Sequence, residues 1–392
     1  MEYRKFNADY LFNGTSLLGE DHVLIADSTG RIKDIVHYTN AGEGIELFSG
    51  ILSPGFINAH CHLELSHLRN LIPEKKGLAD FVFSVVAGRN FEEEKILVAI
   101  GRAEAEMLGS GIVAVGDICN NSMSLLQKEN GKVSYYNFIE TSGWNPAIAD
   151  TRFEKSKSYY DEFINKKQIA SIVPHAPYSV SRELWGKITP FFTDKVVTIH
   201  SQETKDEDEF FLNGTGSLVE LYQRLNIDNS FYKAKKLTSL QSYFRYFAEA
   251  SSVILVHNTY MKQEDLEYLN ETKPRNQMIS FCLCINANLY IENALPPIDM
   301  LLENNSNIAI GTDSLASNHQ LNILEELKTI ARNFPGISTE ILLKWATLNG
   351  AKAIQMDRNL GSFETGKQPG IVLIENISGD KLTADSISRR IL

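Results

Sequence analysis

The sequence predicts an α/β protein: a (β/α)8 TIM barrel, with a small β-sandwich that both termini build together. Three observations carry this prediction. Eight short apolar, β-rich runs recur through the middle of the chain, separated by segments long enough for helices. Histidines and an aspartate fall at the C-terminal ends of those runs. Both ends of the chain are strand-rich and punctuated by glycine.

The termini come first. Residues 1 to 50 alternate apolar and polar, with Gly14, Gly19, Gly30, Gly42 and Gly44 between the runs. The stretch HVLIADSTGRIKDIV reads as two short strands joined by a turn at Ser28-Thr29-Gly30. The last stretch, 359 to 392, is turn-rich and then strongly β in GSFETGKQPGIVLIEN. These two pieces, 1–50 plus 359–392, are expected to form the sandwich, and 51–358 the barrel. The barrel runs are Gly50–Ile57, Ile112–Asp117, Val133–Ile139, Ala170–Val173, Val196–Ile199, Val253–Val256, Met278–Phe281 and Ile308–Gly311. Helices are expected over Glu92–Leu108, Leu240–Ala250 and Leu321–Arg332. An open doubly wound sheet fits the same alternation. The chain shows no GxGxxG after its first strand and no P-loop, which weakens nucleotide-fold readings.

The polar residues separate the two architectures. His60 and His62 follow the first run, His175 the fourth, His200 the fifth, His257 the sixth and Asp313 the eighth. These are C-terminal strand ends, the face on which barrels build active sites. Only a closed barrel brings the ends of the first and eighth strands side by side. On a strand, positions i and i+2 share a face, so His60 and His62 can reach one cation from one side. A lone strand-end histidine is ordinarily a hydrogen-bonded structural group, and Asp313 could brace a turn or cap the helix near Leu321. Five such histidines and an aspartate in strand register make a metal at the barrel mouth the better account. His22, His37, His67 and His319 are read as surface or local hydrogen-bonding groups.

Composition sets the bounds. The chain has 392 residues, 43% hydrophobic and 22% charged, which suits a globular protein with a sizeable core. A net charge of -11 argues against nucleic acid or an anionic membrane as partner. The acidic run Lys205 to Glu209 is read as a solvated loop or helix start. No signal-peptide pattern is visible at the N-terminus, and no apolar run approaches the ~20 residues of a membrane span. Cys61, Cys119, Cys282 and Cys284 lack framework spacing, so reduced, buried thiols in a cytoplasmic protein are expected.

The motifs PGFINAHCHLELSHL, HAPYSVS, IHSQETKDE, LVHNTYM and IAIGTDSLASNHQLNILEEL together resemble the amidohydrolase superfamily. The likeness is to its branch of aminohydrolases acting on nucleosides and related heterocycles, and it extends to the family's small sandwich domain. The resemblance implies that His60, His62, His200 and Asp313 hold the metal, Zn²⁺ or Fe²⁺. It implies that Glu203, three residues after His200, shuttles protons, and that His257 orients the attacking hydroxide. Two-metal members carry a lysine or glutamate at the end of the fourth strand. Here that strand ends IVPHAPYS, with His175 in the place where mononuclear deaminases contact substrate, so one metal is expected.

One piece departs from the family pattern. Where Cys-Pro-x-x-Asn is usual after the seventh strand, this chain has Cys284-Ile285-Asn286-Ala287-Asn288, so Asn288 is expected to brace the loop. HLELSHL followed by IPEKKGLADFVFSVVAGR resembles the aminodeoxyfutalosine deaminases of the alternative menaquinone pathway and their relatives. Substrate contacts are expected from Glu64, His175, Arg89 and Arg152. Second-shell bracing competes for Glu64 and surface ion pairing for the arginines. Phe81 and Phe83 could stack on a base or belong to the core. The expected activity is hydrolytic deamination of an adenine nucleoside derivative, aminodeoxyfutalosine first. S-adenosylhomocysteine or methylthioadenosine, a free base (guanine or cytosine), and triazine dechlorination are the alternatives. A non-catalytic barrel serving as a binding module is the reading from another class, and it should have lost a ligand or Glu203. The resemblance also implies a homodimer.

Overall fold

In the computed structural model, residues 3–88 and 90–392 are described. Eight parallel strands form the centre: Phe56–Cys61, Ile112–Cys119, Ser134–Thr141, Ile169–Pro174, Val196–Ser201, Ser252–His257, Met278–Leu283 and Asn307–Ile310. The first four pair in sequence order as one parallel sheet and the last four as another. The amide of His200 donates to the carbonyl of His175 at 3.0 Å, joining the fourth and fifth strands. Thr312 and Asp313 donate to the carbonyl of His60 at 3.0 and 3.1 Å, joining the eighth to the first. The ring is therefore a (β/α)8 barrel. Its strands read as continuous apolar runs because both faces are covered, by the barrel interior and by the outer helices.

The eighth strand can approach the first only because position 311 has no side chain. A Cβ on Gly311 would stand 2.8 Å from Cys282 Sγ, 2.9 Å from Cys284 Sγ and 2.9 Å from His60 Cβ. Closure and placement of His60 thus share one steric requirement.

The termini form two further sheets. One orders Ile32–His37, His22–Asp27, Tyr3–Asn7 and Ile45–Leu47; the other orders Ile387–Arg390, Ile371–Glu375, Ile51–Pro54, Tyr10–Phe12 and Leu17–Gly19. Phe6, Leu24, Leu52, Phe363 and Leu373 pack together as their shared core. The expected turn at Ser28-Thr29-Gly30 is present: Asp27 Oδ1 accepts from the Thr29 amide at 2.8 Å, and Gly30 takes φ 82°.

Two expectations change, and one open alternative resolves to a helix start. The run Gly50–Ile57 spans two strands: Ile51–Pro54 pairs antiparallel with Ile371–Glu375 in a terminal sheet, and the barrel begins at Phe56. The helix expected over Leu240–Ala250 is a short α-helix, Ser239–Tyr243, running into a 3-10 turn, Phe244–Phe247. The acidic run opens a helix, Asp206–Asn213, whose first-turn carboxylates face the positive end of the helix dipole. That helix, its successor Ser217–Arg224 and the helix Leu78–Gly88 share an apolar cluster with Trp144 and Tyr178. The cluster lies where chain leaves the C-terminal strand ends. Phe81 belongs to it, and Phe83 carries the Arg224 guanidinium 4.1 Å above its ring.

Candidate metal centre and active site

His60, His62, His200, His257, Glu203 and Asp313 converge at the C-terminal mouth of the barrel, all buried. His60 is carried by the last turn of the first strand and His200 by the fifth; His62 lies just beyond the first strand. His62 Nε2 lies 3.2 Å from His200 Nε2 and 3.4 Å from Asp313 Oδ1, and His60 Nε2 lies 3.6 Å from Asp313 Oδ1. Ligands bonded tetrahedrally at about 2.0–2.1 Å sit about 3.4 Å apart, so these four groups have the spacing of one coordination shell. Ligand atoms of His60, His200, His257 and Asp313 also lie within 4.8 Å of one another. His62 stands outside that tighter group but closes on two of its members.

The hydrogen bonds fix which nitrogens are free. His200 Nδ1 lies 2.7 Å from the carbonyl of His175, which can only accept, so Nδ1 carries the proton and Nε2 turns a lone pair to the cluster. His257 Nδ1 lies 2.8 Å from Asn288 Oδ1, leaving Nε2 without a protein partner and 3.6 Å from Glu203 Oε1. Neither ring nitrogen of His60 has a partner. Burial disfavours the charged form of two of these imidazoles: it drives His62 down to about 3 and His200 well below the ordinary histidine range. Burial works the other way on Asp313, but the nearby rings of His60, His62 and His257 hold that carboxyl well below its ordinary value. Neutral nitrogen lone pairs, an ionised carboxylate and orphaned buried nitrogens together suit a divalent cation.

The backbone is strained at the same place. His257 has φ 72°, Asp313 φ 57° and Gln202, next to Glu203, φ 49°. Such left-handed non-glycine residues persist only where surrounding packing over-determines them. Glu203 is 5% exposed, and its amide donates to Glu207 Oε1 at 2.9 Å. Burial, Asp313 and Glu292 push the Glu203 carboxyl well above the usual carboxylate range, which suits a proton carrier.

The expected substrate contacts fare differently. His175 Nδ1 lies 2.9 Å from Ser179 Oγ, which itself donates to the Ala176 carbonyl. The serine oxygen must then accept, leaving His175 Nε2 as an acceptor beside the cluster. Glu64 lies in a 3-10 turn, Leu63–Leu68, and its Oε2 accepts from the Asn120 amide at 3.0 Å; burial raises it to about 8. Arg152 is exposed on the helix Ala149–Asn165, its stem against Gly143, and does not join the cluster. Arg89 lies outside the described residues. Asn288 braces His257, and its loop is further anchored by Glu326, which takes two bonds from Asn286.

Sequence reading missed Glu140. It stands at the end of the third strand, a position the strand-end rule singles out, but as a lone acid in IET it fits no spacing motif. Its Oε2 has no hydrogen-bond partner and lies 3.9 Å from His200 Nδ1, and burial raises the carboxyl to about 7. Glu140, His175 and His200 form a second potential ligand group. His200 gives its Nδ1–H to a carbonyl and its Nε2 to the first cluster, so that group does not make an independent cation site.

The chain matches the amidohydrolase family over residues 51–387. It is 27% identical over 344 residues to the 5-methylthioadenosine/S-adenosylhomocysteine deaminase of Thermoanaerobacter pseudethanolicus, covering 83% of this chain and 73% of that protein. It is 26% identical over 326 residues to an adenosine deaminase of Helicobacter pylori, covering 82% and 78% respectively. In structure it resembles Helicobacter pylori aminofutalosine deaminase with a TM-score of 0.80 at 23% identity, covering 97% of this chain and 94% of the other.

Proposed function

The chain belongs to the amidohydrolase family, in its branch of nucleoside and heterocycle aminohydrolases, and we propose that it deaminates an adenine nucleoside derivative hydrolytically, 6-aminodeoxyfutalosine first. The observation that carries this reading is the convergence of His60, His62, His200 and Asp313 beside the buried carboxyl of Glu203. One divalent ion, Zn²⁺ or Fe²⁺, fits that donor set. When bound it would lower the pKa of water from 15.7 toward about 7, supplying hydroxide at neutral pH.

The protein groups do the rest. Glu203 takes the proton from water and passes it to a ring nitrogen of the substrate. The amidine-type carbon gains oxygen while His257 Nε2 and Asp313 hold the attacking atom in line. Glu203 then carries the remaining hydroxyl proton of the added oxygen to the amine, the C–N bond breaks, and a lactam-type carbonyl and ammonia are left. In this reading His175 Nε2 and Glu64 take hydrogen bonds from the base or ribose. The exposed Arg152 suits a surface role better.

Relatives named for deaminating 5′-modified adenosines support the substrate class, and the HLELSHL segment supports aminodeoxyfutalosine, hence a step of menaquinone biosynthesis. In this reading 51–358 holds the catalytic barrel, which starts at Phe56, and 1–50 with 359–392 forms the sandwich, which also takes in Ile51–Pro54, in a cytoplasmic homodimer. No described helix is long and apolar enough to cross a membrane. The test is ammonia release by metal-loaded protein from aminodeoxyfutalosine, adenosine, S-adenosylhomocysteine, methylthioadenosine, guanine and cytosine. One nucleoside turned over with kcat/KM above ~10⁴ M⁻¹s⁻¹ is the expected result. Release from guanine or cytosine alone would replace the nucleoside reading with a free-base deaminase.

A further inference from the structure

A fully buried ion pair lies behind the metal-ligand turn and touches none of the reacting groups. Asp117, on the second barrel strand, is completely buried. Its Oδ2 meets Lys128 Nζ at 2.5 Å, with both side chains shielded from solvent. Lys128 also donates to Asn137 Oδ1 at 2.8 Å and Cys119 Sγ at 3.1 Å, and the rings of Tyr135 and Phe163 lie 4.9 and 5.2 Å from its nitrogen. Every proton of that ammonium group is therefore engaged inside the protein. Such a pair is a poor device for stability, because well-packed apolar residues of similar volume usually do as well or better.

The other oxygen of Asp117 has a different task. Oδ1 accepts from the amide of Leu63 at 2.8 Å. Leu63 directly follows His62 and opens the 3-10 turn, where no side chain of His62 caps the free amide. The pairing of the first and second strands shifts register between Asn58 and Cys61, and Cys61 then lies opposite Asp117. The ladder thus falters along Ala59 and His60, just before His62, and the side chain of Asp117 anchors the chain beyond it.

We propose that Asp117 is a positioning residue for the metal centre: its carboxylate, held by Lys128, fixes the backbone exit of the first strand and so aims His62 at the cation. Lys128 holds the other oxygen of the carboxylate, so Oδ1 is fixed on the amide, in a bond of the stronger, charge-assisted kind. The pair acts through His62, so the proposal rests on the reading of His62 as a ligand. Removal of groups that orient metal ligands commonly weakens metal binding about 10–100-fold.

Two double variants separate the hydrogen bond from the charge. Asp117→Asn with Lys128→Met keeps an oxygen for the Leu63 amide and buries no charge. Asp117→Leu with Lys128→Met keeps the volume and removes the acceptor. Zn²⁺ affinity is read by competition with a chromophoric chelator, ligand geometry by the visible spectrum of Co²⁺-loaded protein, and folding by the Tm of the stripped protein. The asparagine variant should bind Zn²⁺ close to the wild-type affinity. The leucine variant should bind about 10–100-fold more weakly, with a changed cobalt spectrum. If the leucine variant does not fold, Asp117→Ala with Lys128→Met makes the same cut. Equal affinities for the acceptor-keeping and acceptor-lacking variants would overturn the proposal. His62→Asn serves as the reference: unchanged affinity there would overturn the ligand assignment and the positioning role with it. Loss in His62→Asn without loss in the acceptor-lacking variant overturns the positioning role alone.

Discussion

Replacing Glu203 by glutamine is the sharpest single perturbation of the proposed chemistry. The side chain is buried, its Oε1 sits 3.6 Å from His257 Nε2, and its backbone is pinned by Glu207. Glutamine has the same shape and can still hydrogen-bond a ring nitrogen, but it cannot carry a proton. General acid–base catalysis contributes about 10²–10⁴ in rate. At 1.36 kcal/mol per decade this is roughly 3–5 kcal/mol of barrier. Glu203 would be used both to take the proton of water and to release the amine, so the loss should fall at the upper end. Removing a carboxyl that Asp313 already disfavours should not lower Tm. Ammonia release, bound metal and Tm are measured on the same preparation. Turnover within tenfold of wild type, with metal still bound, would refute the proton-shuttle role.

Three further outcomes follow from the geometry. Asn288→Ala removes the acceptor of His257 Nδ1 and leaves a buried donor unpaired, at about 1–3 kcal/mol; kcat for ammonia release should fall, and an unchanged kcat would show that His257 needs no brace. Gly311→Ala forces a Cβ against Cys282, Cys284 and His60, so overpacking should cost about 1–3 kcal/mol, read as a lower Tm. The third concerns pH. Burial raises the folded-state Glu207 carboxyl from its ordinary 4.5 to about 8, so its favourable neutral form is lost as pH rises through that interval. Glu207→Gln has no proton to lose, and its stability relative to wild type should rise between pH 4.5 and about 8 in urea unfolding of the stripped protein; a constant difference would contradict the assignment.

The strand-end cluster was legible because barrel sites leave a one-dimensional trace: His60, His62, His200, His257 and Asp313 each follow an apolar run. Glu203 was legible only from its distance to His200. Glu140 obeys the same strand-end rule but was missed, since one acid after an apolar run is too common to notice. The Asp117–Lys128 pair could not be read at all. Its meaning lies in a bond to the Leu63 amide, 54 positions away in the chain. The run Gly50–Ile57 was read as one strand because periodicity does not mark where partners change. Pro54 and Gly55 mark that switch, the first residue lacking a donor and the second bonded to Pro369. The helix Asp206–Asn213 was only half legible, because an acidic run reads equally as solvated loop or helix start.

The central claim is that one divalent ion in this cluster makes the protein a deaminase. The most direct measurement is to strip the protein with chelator and titrate Zn²⁺ or Fe²⁺ back, following bound metal and ammonia release from the preferred adenine nucleoside together. Stripped protein should release no ammonia, and recovery should reach its plateau at one equivalent of metal. Release that needs no metal, or that continues to climb to a second equivalent, would contradict it.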